Sequence, residues 1–141
     1  MLTLPSTLLA LDIGSRRTGV AIANEEVRFP APLCTLEQDG SIVEHLCALI
    51  EEHNVHTLVV GLPRGLDGQE TKQTKFVEDF VDMLKSKVTI PIFMQDEALT
   101  SRKAEAELDA RGKIYSKGEV DALAATYILE DFIAEHSRGV R

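Results

Sequence analysis

The chain has 141 residues, with 15 Lys and Arg against 23 Asp and Glu, a formal charge of −8. That length fits one domain, residues 1–141, whose core needs neither disulfides nor a structural metal. Hydrophobic residues at 44% and charged residues at 27% exclude a disordered chain, and the acidic balance excludes a polybasic binder held to nucleic acid by charge alone.

No basic residue precedes the first apolar stretch, which Pro5 and Ser6 interrupt, so the N-terminus does not read as a signal peptide. Thr7 to Ile13, TLLALDI, is a short apolar run stopped by Gly14 and predicts a strand buried on both faces. Thr18 to Ala23 predicts a second strand, close enough for an antiparallel hairpin. Val27 to Leu36 predicts a weaker third strand, and Pro30 and Pro32 place it at a sheet edge. Ser41 and Glu44 have the spacing of a capping box, opening a helix with Ile42, Leu46, Leu49 and Ile50 on its apolar stripe. Cys47 shares that helix with Val43 and Ile50, as a buried thiol of a reducing compartment would, and with Cys34 it makes no metal-ligand pattern.

Thr57 to Val60 predicts a fourth strand running into Gly61, Leu62 and Pro63. A loop from Arg64 to Gln69 turns at Asp67-Gly68. A second helix carries Phe76, Val77, Phe80, Val81 and Leu84 on one face, and Pro91 to Met94 is a fifth strand. A third helix runs from about Ser101 to Arg111 and ends at Gly112; a fourth runs from about Glu119 to Glu135. No apolar run reaches the ~20 residues of a membrane span, and a cytoplasmic protein away from membranes is expected.

The element order is βββαβαβαα. Hairpin strands followed by strands that alternate with helices imply an α/β fold, one mixed five-stranded sheet flanked by helices. With right-handed crossovers and the fourth strand beside the first, the strand order is 3-2-1-4-5. Ligands then favour the carboxyl end of the first strand, where the winding reverses.

Three acids stand where acids are costly. Asp12 ends the most apolar strand, and a buried carboxylate there needs a cation, a donor network or a raised pKa. Asp121 shares a helix face with Ala125, Ile128 and Phe132, in the first turn of the last helix. Glu97 follows the fifth strand directly. Each alone has a structural reading: a turn acceptor, a helix-dipole partner and a cap, respectively. Together, at one predicted edge, they suit a hard divalent cation such as Mg²⁺ or Mn²⁺, which takes carboxylate oxygens, water and phosphate. His53 and His56 lie at a helix end and in a loop, where solvated histidines are ordinary. Strand spacing puts the fifth strand roughly 10 Å from the first, a span over which an aspartate and a glutamate could grip two ions ~4 Å apart. Gly61 lies between them. Either it leaves room for the ions or a phosphate, or it permits the turn into Leu62-Pro63.

With these residues identified, the sequence resembles the YqgF-type family of Holliday-junction resolvase-like proteins, also described as pre-16S rRNA nucleases, within the ribonuclease H-like superfamily. ALDIGSRRTGVAIA (10–23) is similar to its first hairpin motif and GLPRGLDG (61–68) to its central loop. DEALTS (96–101) and KGEVDALAA (117–125) are similar to its last two motifs. The resemblance implies a ribonuclease H-like fold, Asp12, Glu97 and Asp121 as catalytic acids and metal ligands, and two-metal phosphodiester hydrolysis with Mg²⁺, or Mn²⁺ in its place. Where the family commonly has arginine after the aspartate-glutamate pair, this chain has Ala98.

Arg16 and Arg17 at the first hairpin are candidates for holding a nucleic-acid backbone. Arg64, Arg102 and Lys117, with Lys103 and Lys113, extend that surface. The expected partner is nucleic acid: a ribosomal RNA precursor, trimmed at its 5′ end, or branched DNA in recombination and repair. A symmetric, weakly held homodimer would suit the second. Two other classes compete. An ATPase-like phosphate hairpin would need a second domain, and a non-catalytic ribosome-assembly module would not need the acids.

Overall fold

The computed structural model describes residues 6–24, 29–64, 69–97, 100–112 and 115–136, with residues 100–103 described by their backbone. The strands are β1 (Thr7–Ile13), β2 (Arg17–Asn24), β3 (Ala31–Glu37), β4 (Val55–Pro63) and β5 (Ile92–Glu97). The helices are α1 (Ile42–Glu52), α2 (Lys72–Lys85), α3 (Thr100–Ala110) and α4 (Lys117–His136). The order along the sheet is β3-β2-β1-β4-β5, with β1 antiparallel to β2 and parallel to β4, as the chain pattern predicts.

Strand alternation divides the core in two. Leu9, Leu11, Val20, Leu58 and Val60 face α1 and α2 in one apolar layer. Leu8, Ala10, Ala21, Ala23 and Val59 face the opposite way, onto Ala125, Ile128, Leu129 and Phe132 of α4. A third cluster joins α3 to α4 through Ala104, Leu108, Val120, Leu123 and Tyr127. Sheet on one side and α3 on the other bury α4 around most of its circumference, which is why residues 122–129 are small or apolar apart from Thr126 and Tyr127. The hydroxyl of Thr126 returns to the Ala122 carbonyl, and that of Tyr127 donates to Glu107 at 2.6 Å.

β3 is an edge strand, as Pro32 requires; Pro30, expected within it, precedes the strand, which begins at Ala31. Its register against β2 shifts between Val20 and Ala21: Cys34 pairs with Val20 and Pro32 with Ala21. Gly112, with φ +69°, closes α3 in the left-handed conformation expected of a helix-ending glycine. Cys34 and Cys47 are half-buried free thiols. Among the described residues no helix is long and apolar enough to cross a membrane.

The capping box expected at Ser41 does not form. Ser41 precedes α1 with φ −100° and ψ 0°, and its side chain makes no cap bond. The Asp39 carboxylate accepts the Ser41 N–H at 2.8 Å, so the turn before the helix is held from two residues upstream. A capping box occurs instead on α2, where Thr71 accepts the Thr74 N–H and the Thr74 hydroxyl accepts the Thr71 N–H. The Thr74 hydroxyl also donates to the Pro63 carbonyl, and Gln73 Nε2 donates to the Ile13 carbonyl at 2.9 Å. The first turn of α2 thereby fastens the carboxyl ends of β1 and β4, the edge where the acids lie.

Candidate active site

Asp12 is the last even position of β1 and takes the same face as Leu8 and Ala10, toward α4. Directly opposite it in the antiparallel ladder is Gly19 of β2. A Cβ built on Gly19 would fall 1.9 Å from the carbonyl oxygen of Asp121 and 2.7 Å from the nitrogen of Ala122. Only a residue without a side chain lets the first turn of α4 rest on the sheet at this point. The backbone of Asp121 is thus laid against the strand neighbour of Asp12.

The consequence is a pair of acids. Burial, and secondly the nearby Asp121 carboxylate, push the Asp12 carboxyl up to about 7. Asp121 is also paired with Arg17, whose Nε–H donates to Oδ2 at 2.8 Å. Arg17 opens β2 on the face shared by Gly19, Ala21 and Ala23, so its reach to α4 follows from strand alternation. Thr35 of β3 adds a tie, its hydroxyl donating to the Gly118 carbonyl at 2.8 Å.

Glu97 is the last residue of β5, pairs with Pro63, and has its Oε1 buried. It shares the α4 side with Phe93, which packs on Phe132 at a ring separation of 5.7 Å. Leu11 is level with Val60, and Val60 with Met94, so Glu97 lies two strands across and two residues beyond Asp12. Standard strand dimensions make that about 12 Å between α-carbons. Among the described residues no three His, Cys, Asp or Glu side chains come close enough to hold a metal together. The structure brings Asp12 and Asp121 into one site and places Glu97 on the same sheet face, at a distance.

Gly61 does not hold space for an ion. A Cβ there would meet Ile128 Cδ1 at 2.3 Å, because the α4 side chain fills the position between β1 and β5. The expectation of a vacant phosphate or metal pocket over Gly61 is therefore overturned by helix packing.

The basic residues part company. Arg16 and Lys117 are exposed at the hairpin and at the start of α4. Arg17 is engaged by Asp121. Arg64 bonds through its backbone N–H to the Glu97 carbonyl at 3.0 Å, and its guanidinium lies 3.4 Å from Asp96 and 3.6 Å from Glu70. The Arg102 and Lys103 side chains, Lys113, Ala98 and loop residues 65–68 lie outside the described residues. Sequence reading missed Gly19 as a site residue. Its signal was the small face formed with Ala21 and Ala23 at every second position of β2.

The family model of RuvX, described as Holliday junction resolvase, matches residues 6–135. A relative from Chloroflexus aurantiacus is 39% identical over 132 residues, covering 89% of this chain and 85% of its own. One from Shewanella oneidensis is 35% identical over 134 residues, covering 92% and 95%. One from Crocosphaera subtropica is 40% identical over 129 residues, covering 89% and 90%. All three bear the name "Putative pre-16S rRNA nuclease". Among solved structures, Thermus thermophilus RuvC in complex with a Holliday junction substrate aligns with a TM-score of 0.56 at 14% identity, covering 94% of this chain and 96% of that one. The fowlpox virus Holliday junction resolvase aligns with a TM-score of 0.55 at 13% identity, covering 92% and 99%. These two share the fold, the ribonuclease H-like arrangement that the motifs imply. The match across nearly the whole length, with relatives above one-third identity, places the chain in the RuvX family.

Proposed function

We propose that this protein is a metal-dependent nuclease that hydrolyses phosphodiesters of structured RNA, trimming the 5′ end of the 16S rRNA precursor. The observation that carries this reading is the Asp12–Asp121 pair, two carboxylates at the carboxyl edge of the central strand in a chain of this family. The names of the curated relatives support the RNA substrate.

The donor set fits a hard divalent ion. A buried carboxylate whose charge is further disfavoured by a second one nearby is a poor arrangement for an ion-free function and a good one for Mg²⁺ or Mn²⁺. Asp12 and Asp121 would hold the metal, with Glu97 on the same face beyond them. When bound, such ions activate a water and stabilise the leaving oxygen of the phosphodiester.

The chain's own contributions are orientation and charge. Gly19 sets the depth of α4, and so the separation of the two aspartates. Gln73 and Thr74 fix the ends of β1 and β4 beneath them. Exposed Arg16 and Lys117 flank the edge and would bind backbone phosphates, with Arg64 reachable once it exchanges Asp96 and Glu70 for substrate. Such exposed ion pairs are weak, so the exchange costs little.

The test compares a precursor 16S rRNA fragment with a four-way DNA junction, each with Mg²⁺ or Mn²⁺, using wild type and Asp12→Asn. Metal-dependent cleavage of the RNA, lost in the variant, is the expected result. Cleavage of the junction alone would transfer the activity to DNA resolution. No cleavage of either would overturn the reading.

A further inference from the structure

Arg17 has a place in the site that charge on the hairpin alone does not explain. Its side chain is 27% exposed and that of Asp121 20%, so the 2.8 Å contact between Nε and Oδ2 is partly shielded from water. It joins residues 104 positions apart, from the start of β2 to the first turn of α4. The acceptor is the same aspartate whose charge bears on Asp12. One positive charge therefore sits on one oxygen of a two-aspartate site.

That charge has a cost for any dication. An ion entering between Asp12 and Asp121 must share Asp121 with the guanidinium or displace it, and it meets repulsion from the cation in either case. Phosphate changes the balance. The Nε bond uses one of the five N–H donors of arginine, and a guanidinium matches the oxygens of a phosphodiester at least as well as a single carboxylate oxygen. Arg17 stands on the hairpin beside exposed Arg16, where a backbone would pass.

We infer that Arg17 is a resident counter-ion that links metal affinity to substrate. With no nucleic acid present it holds Asp121 and weakens metal binding; a substrate phosphate draws the guanidinium away and opens Asp121 to the ion. This rests on the nuclease reading above and assigns Arg17 a positioning role within it. By reciprocity, metal then tightens nucleic-acid binding by the same factor that nucleic acid tightens metal binding.

The experiment measures Mn²⁺ affinity directly, by the loss of the free-ion paramagnetic resonance signal. It uses the full chain, with and without a phosphorothioate RNA hairpin that resists cleavage. Wild type, Arg17→Met and Arg17→Lys are compared, with circular dichroism to establish that each is folded. Arg17→Met is expected to bind Mn²⁺ about tenfold tighter than wild type in the absence of RNA, and to show little further gain when the hairpin is added. Arg17→Lys keeps a competing charge and should stay within about threefold of wild type, which separates counter-ion from mere packing. The wild type should gain affinity with the hairpin.

Equal or weaker Mn²⁺ binding by folded Arg17→Met would overturn the inference while leaving the nuclease reading intact, provided wild type still cleaves. So would the same tightening in Arg17→Lys as in Arg17→Met. If Arg17→Met does not fold, the wild-type arm decides: no gain in Mn²⁺ affinity on adding the hairpin overturns the coupling, and a gain that Arg17→Lys retains supports it. Wild type that neither binds Mn²⁺ nor cleaves would overturn both readings together.

Discussion

A side-chain carbon at Gly19 would sit 1.9 Å from the carbonyl oxygen of Asp121, although the two residues stand 102 positions apart in the chain. This contact sets how near the last helix comes to the sheet. Gly19→Ala should force α4 outward against backbone atoms that cannot rotate away. The expected loss is about 1–3 kcal/mol or more of folding stability, measured by urea unfolding. Cleavage should fall by more than that loss of folded protein explains. A variant with wild-type stability and activity would show that α4 does not depend on this approach.

Gly61 offers a contrast, because the atom that a Cβ would meet is the end of a side chain, Ile128 Cδ1 at 2.3 Å. Gly61→Ala alone should destabilise. Ile128→Val removes that terminal methyl and alone should cost about 0.5–1.5 kcal/mol. The double variant should be more stable than the sum of the two predicts, by about 0.5 kcal/mol or more in a thermodynamic cycle. Strict additivity would mean that the two positions do not compete for space.

Asp12→Asn keeps the shape of the side chain and removes the charge that a hard cation needs. Cleavage should drop by at least about a hundredfold, while RNA retention on a filter persists through Arg16 and Lys117. Mg²⁺ should raise the melting temperature of the wild type more than that of the variant, since a ligand of the folded state stabilises it. Cleavage at the wild-type rate would remove Asp12 from the chemistry.

The same residue controls stability against pH in the presence of chelator. Its folded carboxyl titrates at about 7, against 3.8 in an open chain, because burial and Asp121 disfavour the anion. Between those values the folded state holds a proton that the unfolded state has released. Stability contributed by Asp12 is therefore full below pH 4 and falls as pH rises toward 7, by roughly 2–4 kcal/mol at most. Difference curves, wild type minus Asp12→Asn, should show that downward slope. A flat difference from pH 4 to 8 would place Asp12 in a more open environment.

Local pattern made much of this legible. β1 occupies the residues expected of it, because seven apolar-rich positions between a proline and a glycine admit few alternatives. Pro32 put β3 at an edge, and the spacing of Asp121 from Ala125, Ile128 and Phe132 put the acid on the sheet side of α4. What pattern could not supply was competition between distant parts. Ser41 and Glu44 have the letters of a capping box, yet Asp39 takes the Ser41 N–H first. Gly61 and Arg17 answer to Ile128 and Asp121, residues 67 and 104 positions away. β5 extends to Glu97 rather than stopping at Met94, since pairing with β4 carries extended backbone through polar Gln95 and Asp96.

The placement of α4 has a consequence for the growing polypeptide. This helix, the last element in chain order, supplies Asp121 and also covers Leu8, Ala10, Ala21, Ala23 and Val59. Until residues 117–136 clear the ribosome tunnel, the sheet has one uncovered apolar side, with Asp12 at its edge and no Asp121 beside it. At a synthesis rate of about 5–20 residues per second, sealing the core and completing the acid pair fall in the same few seconds. The acid pair is thus completed by the same docking that seals the core, and not before it.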